Sequence, residues 1–181
     1  GAIWSGKYGT FTISDTVIRD NSTNDDGGGI VNQSTLTIRN SIISGNSADD
    51  KGGGIVNFSY GNLSIINSTI SRNSASDDGG GISNSGTATV VNSTISGNSA
   101  SSNGGGIYNN DEAVNVLNST ISRNSASRNG GGISNSSGTA TVVNSTISGN
   151  SASSSGGGIN SSFSGNTLNL TNSISANNIG S

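Results

Sequence analysis

The chain has 181 residues, of which 28% are hydrophobic, with a formal net charge of −3 at pH 7 and no Pro, Cys, Met or His. Its 39 Ser, 28 Asn and 29 Gly residues make up more than half of the sequence. This composition excludes an ordinary globular core, disulfides, thiol or imidazole catalysis, and the usual zinc, haem and iron–sulfur sites.

Charge and hydropathy exclude further classes. Low net charge and the lack of proline argue against a disordered chain. The seven basic residues are scattered, so they form no phosphate-binding footprint, and we expect no nucleic-acid partner. No segment approaches the roughly 20 consecutive apolar residues of a membrane helix, so we expect no membrane insertion.

A repeat organises the sequence. The tetrapeptide Gly-Gly-Gly-Ile recurs six times, with its isoleucines spaced by 25, 27, 25, 26 and 26 residues. Residues 1–3 fit the same phase. The spacing predicts a single domain over residues 1–181, built from seven repeats that start near residues 1, 27, 52, 79, 104, 130 and 156.

Each repeat begins with Gly-Gly-Gly-Ile-x-Asn, continues through a variable link, and then follows the pattern Thr-x-Thr-x-Val-Asn-Ser-Thr-Ile-Ser. Apolar residues recur at every second position, as at Leu36 and Ile38 or Leu63 and Ile65. This is the period of a strand, and the Gly, Ser, Asn and β-branched content disfavours helix. The pattern predicts three short strands per repeat, separated by polar turns.

One repeat cannot bury its apolar residues alone, whereas stacked copies can pair each strand with the coils above and below. The sequence therefore predicts an all-β fold, a parallel β-helix (β-solenoid) of about seven coils of ~26 residues. Two isoleucine columns are expected to form its thin core. The first contains Ile18, Ile43, Ile70, Ile95, Ile121, Ile147 and Ile174. The second contains Ile3, Ile30, Ile55, Ile82, Ile107, Ile133 and Ile159.

Asparagine also recurs in two columns, which we interpret as structural ladders of stacked amides at corners that tolerate left-handed backbone. The first contains Asn40, Asn67, Asn92, Asn118, Asn144 and Asn172, with Asp15 in the first coil. The second contains Asn21, Asn46, Asn73, Asn98, Asn124, Asn150 and Asn177. The alternative is glycosylation, since Asn67 and Asn144 begin Asn-Ser-Thr sequons. Outside these ladders, Asn57 and Asn160 are expected to be better acceptors.

The segments Gly79–Asn84 and Ile95–Ala100 resemble the repeats of bacterial surface β-helices. They are similar to the Gly-Gly-Ala-Ile and Phe-x-x-Asn repeats of polymorphic outer-membrane proteins and related autotransporter-like adhesins. The resemblance covers all seven repeats and implies a right-handed parallel β-helix at the cell surface or outside the cell. Such solenoids serve as adhesins, stalks and fibres, and occasionally as polysaccharide-active enzymes.

Acidic residues are the best candidates for chemistry. Six of the ten stand in adjacent pairs before the glycine triplets of three successive coils: Asp25 and Asp26, Asp49 and Asp50, Asp77 and Asp78. Oxygen-rich loops suit calcium, the one cofactor that we consider. The alternative is a solvated turn column next to Lys51. Asp111 and Glu112 are adjacent and point to opposite strand faces, so they make a poor acid/base pair, and we expect no enzyme activity.

Outward strand positions offer two candidate surfaces. One is an array of threonine pairs that resembles ice-binding solenoids: Thr10 and Thr12, Thr35 and Thr37, Thr87 and Thr89, Thr139 and Thr141. The other is a contact surface for a second chain, formed by two outward apolar columns. These columns contain Ile66, Val91, Leu117 and Val143, and Trp4, Val31 and Val56. The alternative for the threonines is that Thr is simply a good exposed strand residue. The alternatives for the apolar columns are ordinary surface residues and a slipped register that turns them inward.

The two ends carry the main functional hypothesis. Residues 1–181 hold close to a whole number of coils, and no capping element is evident at either end. Contact between Gly1 and Ile3 of one copy and Ile174 and Ile179 of another would continue the columns, which predicts a self-stacking extracellular fibre subunit. The alternative is a piece of a longer adhesin passenger or stalk. Host or matrix glycans or proteins are a further class of partner.

Overall fold

The computed structural model describes residues 1–161 and 164–180, and this part consists of strands, turns and bends. All strand pairs are parallel and join each coil to the next, so the predicted parallel β-helix of seven coils is confirmed. No helix long and apolar enough to cross a membrane occurs within these two ranges.

Two sheets of seven strands each carry the first half of every coil. Sheet 1 contains Ile3–Ser5, Ile30–Asn32, Ile55–Asn57, Ile82–Asn84, Ile107–Asn109, Ile133–Asn135 and Ile159–Asn160. Sheet 2 contains Thr10–Ser14, Thr35–Arg39, Asn62–Ile66, Thr87–Val91, Ala113–Leu117, Thr139–Val143 and Thr167–Thr171.

Two further sheets complete each coil. Sheet 3, with seven strands, contains Val17–Arg19, Ile42–Ser44, Thr69–Ser71, Thr94–Ser96, Thr120–Ser122, Thr146–Ser148 and Ile174–Ala176. Sheet 4, with six strands, contains Ser22–Thr23, Ser47–Ala48, Ser74–Ala75, Ser99–Ala100, Ser125–Ala126 and Ser151–Ala152. The prediction of three strands per repeat missed sheet 4, because a two-residue strand is too short to show a period of two.

The core is the stack of inward side chains of sheets 1, 2 and 3. The column that runs from Ile3 to Ile159 is in register, coil on coil, and its five central members are completely buried. In sheet 2, two inward residues per strand, such as Leu63 and Ile65, add two more buried columns. The buried apolar side chains thus form one continuous, narrow core along the axis of the stack.

The last member predicted for the other isoleucine column is wrong. Ile174 pairs with Thr146 and is 63% exposed, whereas Ser175 lies over Ile147. The seventh coil reads Asn-Ser-Ile-Ser where coils three to six read Asn-Ser-Thr-Ile, so the isoleucine occurs one position earlier. A shift of one residue moves a strand side chain to the opposite face, which places Ile174 outside the core.

Corner residues allow these tight turns. The Asn column from Asn40 to Asn172 has φ between 47° and 50°, and Asp15 has a φ of 52°, so the predicted left-handed corner is confirmed. The glycine triplet has a different role. A Cβ on Gly80 would lie 2.6 Å from the carbonyl oxygen of Gly105 in the next coil, so only glycine lets neighbouring coils approach here.

Candidate functional site

The second Asn column forms a buried polar ladder beside the apolar core. From Asn21 to Asn150, each Asn Oδ1 except the first accepts a hydrogen bond from the side-chain amide of the coil before it, at 2.9–3.0 Å. The amide of Asn98 also donates to the carbonyl oxygen of Ile70 at 3.1 Å. The ladder ends on Asn178, bonded to Asn150 at 2.9 Å, so the assignment of Asn177 to this column is wrong for the same reason as that of Ile174.

A further buried ladder, at the end of each sheet 1 strand, was missed. Side-chain amides bond along Asn32, Asn57, Asn84, Asn109 and Asn135 at 2.7–2.9 Å. The recurrent Asn of the Gly-Gly-Gly-Ile-x-Asn motif was the available sign. Every buried side-chain nitrogen and oxygen in the described part of the chain has a hydrogen-bond partner, so both ladders are structural.

These ladders reverse the expected order of glycosylation sites. Asn57 is fully buried and Asn160 is 6% exposed, so the expectation that they are the better acceptors is wrong. Asn67 and Asn144 belong to the corner column and are exposed. Side chains at a left-handed corner project outward, so the exposed Asn67, Asn92, Asn118 and Asn144, which all begin Asn-Ser-Thr sequons, are accessible.

The acidic residues do not stack as three pairs. Coil two has one more residue before its glycine triplet, and the backbone N–H of Lys51 donates to Asp26 Oδ1 at 2.9 Å, while Asn103 N–H donates in the same way to Asp78. Asp26, Lys51 and Asp78 therefore occupy equivalent positions in successive coils. The remaining candidates, Asp25, Asp49, Asp50 and Asp77, lie before them in the same loops.

Three carboxylates do converge. Asp25, Asp26 and Asp50 each offer an oxygen within 4.8 Å of the others. Partial burial raises the pKa of Asp26, and Asp50 and Asp25 raise it further, against the lowering effect of the Lys51 N–H. Calcium binding here stays a prediction. A higher unfolding midpoint in calcium than in chelator would support it, and an unchanged midpoint would contradict it.

The first outward apolar column is in register. Ile66, Val91, Leu117 and Val143 stack on one another along sheet 2, and each is half-buried. Arg39 precedes Ile66 and Thr171 follows Val143, so the apolar column covers four coils. Lateral association through it stays a prediction.

The second outward column is largely covered. Trp4 is 69% exposed and Val31 is half-buried, but Val56 is 4% exposed, so its predicted exposure to solvent is wrong. The corner at Gly27 covers this column, because a Cβ there would lie within 2.8 Å of both valine side chains. The glycine corners therefore fold over the outer face of sheet 1.

The threonine pairs stack on the outer face of sheet 2, but they do not form a continuous array. Asn62 lies over Thr35 and under Thr87, and Ala113 separates Thr87 from Thr139. Only the first two coils carry adjacent pairs. Ice binding stays a prediction that a thermal-hysteresis assay would test.

The residues predicted to contact a second copy at the two ends of the stack differ in exposure. Gly1 is exposed, and Ile3 is half-buried against the core. Ile174 and Ile179 are 63% and 72% exposed. Asp111 and Glu112 lie exposed in the link before a sheet 2 strand.

A site that the sequence reading missed lies between sheets 1 and 2 in the first three coils. The links of coils one and three have four residues each, residues 6–9 and 58–61, whereas coil two has only Gln33 and Ser34. The longer links project on both sides of the shorter one. We call the resulting recess the aromatic notch; it is formed by Lys7, Tyr8, Gln33, Phe58, Ser59 and Tyr60.

Comparison with known proteins defines the class. The family described as "Right handed beta helix region" matches residues 1–147, and the chain belongs to this family. Residues 144–162 also match the repeat of the Chlamydia polymorphic membrane protein. Both matches agree with the resemblance drawn from the Gly-Gly-Gly-Ile and Ile-Ser-x-Asn elements, and they indicate an autotransporter-like structural protein of the cell surface. No curated protein and no solved structure matches the chain.

Proposed function

We propose that the chain is a non-catalytic shaft segment of an autotransporter-like surface protein. The observation that carries the proposal is the uninterrupted stack of coils in which the buried polar side-chain atoms of the described residues are all hydrogen-bonded. A stack of this kind keeps a constant cross-section along its length and holds its two ends at a fixed distance from each other, which a stalk requires.

The bonding between coils supports this role. Neighbouring coils are joined by backbone pairing in up to four sheets and by two Asn ladders. Coils four and six have nearly identical sequences, and coil five shares with them the glycine triplet and the Asn-Ser-Thr-Ile-Ser segment. The repeat of the polymorphic membrane protein favours the cell surface as the location.

Surface labelling tests the proposal. Antibodies against residues 49–50, which are exposed in their turn, should label intact cells of the source organism. An antibody against a cytoplasmic protein is the control for cell integrity. Labelling that requires permeabilised cells would contradict a surface shaft.

A second candidate is head-to-tail stacking of copies. The first and seventh coils expose apolar side chains that continue the core columns, among them Phe11 at 42% and Leu170 at 52%. Unpaired edges of parallel strands lie beside them, and such edges recruit further strands. A second copy would cover both features.

Sedimentation of the purified chain tests stacking. Oligomers that grow with concentration, and that are lost in an Ile179→Asp variant, would support it. Asp in place of the exposed Tyr60, which lies away from the end coils, is the control and should leave assembly unchanged. A monomer at all concentrations would contradict it.

A further inference from the structure

The aromatic notch has a composition unlike the rest of the chain. Aromatic residues make up 4% of the sequence, yet three of them lie here. Tyr8 is 93% exposed and Tyr60 is 85% exposed. Two almost completely exposed rings on facing links contribute nothing to packing. We therefore consider ligand binding as the reason for their exposure.

Hydrogen bonds fix two of the three links that form the notch. The Asn57 amide donates to the Gly61 carbonyl at 3.2 Å, and the Gly61 N–H donates to the Phe58 carbonyl at 2.7 Å, which closes the coil-three link. The link of coil two is fastened to Asn32 at 3.0 and 3.2 Å. These two links therefore start from the buried Asn ladder, which pre-organises the part of the notch that Gln33, Phe58 and Tyr60 form.

The space between the links has the size of a small ligand site. One cavity of about 210 Å³ is lined by Lys7, Gln33, Phe58, Ser59 and Tyr60. A neighbouring one of about 420 Å³ is lined by Lys7, Tyr8 and Tyr60. Lys7 and Tyr60 border both, so the two form one recess in the range of small-molecule sites.

We propose that the aromatic notch binds a short carbohydrate that carries a carboxylate. The face of a tyrosine ring is negative, and the C–H bonds of a pyranose ring stack on it favourably. The Gln33 amide offers a donor and an acceptor to sugar hydroxyls. The Lys7 ammonium provides the charge complement of a carboxylate.

Polar groups in the notch are free to bind such a ligand. Among residues 1–161 and 164–180, the side chains of Lys7, Gln33 and Tyr60 have no hydrogen bond or ion pair to protein. Gln33 is half-buried and lines the cavity, and its backbone N–H donates to the Ser5 carbonyl at 3.1 Å, which fixes its backbone position.

Other ligand classes fit less well. Single-stranded nucleic acid also stacks on aromatic rings, but it needs a positive groove along its backbone, and the notch has one cation in a chain of net charge −3. A peptide that adds a strand binds along an open sheet edge, whereas the residues that line the notch all lie on links between strands. Ligand binding at the notch is measured on the isolated chain, so it is tested separately from the proposed shaft role.

Calorimetric titration of the purified chain tests the proposal with four probes: a galacturonic acid trisaccharide, sialyllactose, a galactose trisaccharide and lactose. We expect one acidic probe to bind more tightly than its neutral counterpart. Tyr8→Ala and Tyr60→Ala should each weaken binding by about tenfold or more. Lys7→Gln should remove the preference for the acidic probe.

Matched controls separate binding from folding. Arg123→Gln removes a cation from the far side of the coil, and it should leave the affinity unchanged. All these side chains are exposed, so the thermal midpoint should also stay unchanged. Failure of all four probes at millimolar concentration would overturn the proposal, and so would binding that survives both tyrosine substitutions. Binding of a single-stranded oligonucleotide in place of the sugars would overturn it as well.

Discussion

Buried asparagines join successive coils of this protein beside the isoleucine core. Asn98 is 1% exposed, and its side chain makes hydrogen bonds with Asn73, Asn124 and the carbonyl oxygen of Ile70. Its Oδ1 also accepts from the backbone N–H of Asn73 at 3.0 Å. Removal of one amide would leave several partners buried without water, and each such group costs free energy.

Asn98→Ala should therefore lower the free energy of unfolding by about 3 kcal/mol. Urea denaturation followed by circular dichroism measures this change. Asn62→Ala is the matched control, because Asn62 is exposed and should change stability by less than about 0.5 kcal/mol. Equal effects of the two substitutions on the free energy of unfolding would contradict a stabilising role of the buried ladder.

Asp26 makes stability depend on pH. Burial raises its pKa in the folded state above the ordinary value of 3.8, with further contributions from Asp50 and Asp25. Folding therefore favours the protonated carboxyl. This contribution is fully present below the unfolded-state pKa and is lost as the pH rises through the folded-state pKa.

Asp26→Asn keeps the Oδ1 that accepts from Lys51 and removes the charge. We expect the variant to be more stable than the unaltered chain at neutral pH, with a difference that grows between about pH 3 and about pH 7. Denaturation series over this range, without calcium, measure it. A difference that stays constant with pH, or shrinks as the pH rises, would contradict the assignment.

At the scale of the element, the glycine triplet sets how closely the coils approach. A Cβ on Gly80 would lie 2.3 Å from the Ser99 carbonyl oxygen and 2.6 Å from that of Gly105. Both oxygens belong to backbone that neighbouring coils hold in place. The added methyl group can be accommodated only if the coils separate locally.

Gly80→Ala should cost about 2 kcal/mol or more of unfolding free energy, measured by thermal or urea denaturation. Gly6→Ala is the control, because a Cβ on Gly6 meets nothing within 4 Å. A Gly80→Ala chain as stable as the Gly6→Ala chain would show that the triplet is not required for close approach.

The strands could be predicted wherever the alternating pattern extends over five residues, as in Thr87–Val91. Sheet 4 could not, because a Ser-Ala pair carries no period. Ile174 was misplaced because its column was assigned by residue type, although Ser175 is the residue that pairs with Ile147. The register of the seventh coil instead places Ser173 and Asn178 on the hydrogen-bonded columns of Ser145 and Asn150.

The aromatic notch was missed for a related reason. Its residues come from three coils, and none belongs to a strand. These residues lie together because the links differ in length, and the repeat pattern makes no prediction for the variable links. The available sign was that both four-residue links carry a tyrosine, Tyr8 and Tyr60, on either side of Gln33.

At the scale of the whole molecule, each coil contacts chiefly the coils before and after it. Stability is therefore approximately a sum of coil and interface terms, and unfolding can proceed from the ends. The central coils, with completely buried Ile82, Ile95 and Ile107, should open last. In a shaft built in this way, the interfaces between neighbouring coils resist tension one after another.

Mechanical unfolding tests the shaft most directly. When the chain is held at its two ends and stretched, coils of ~26 residues should detach in turn, with lengthening steps of about 90 Å or multiples of it. Asn98→Ala should lower the force of the central steps. A single featureless extension at low force, with no steps of this length, would contradict the account of the chain as a stacked, load-bearing shaft.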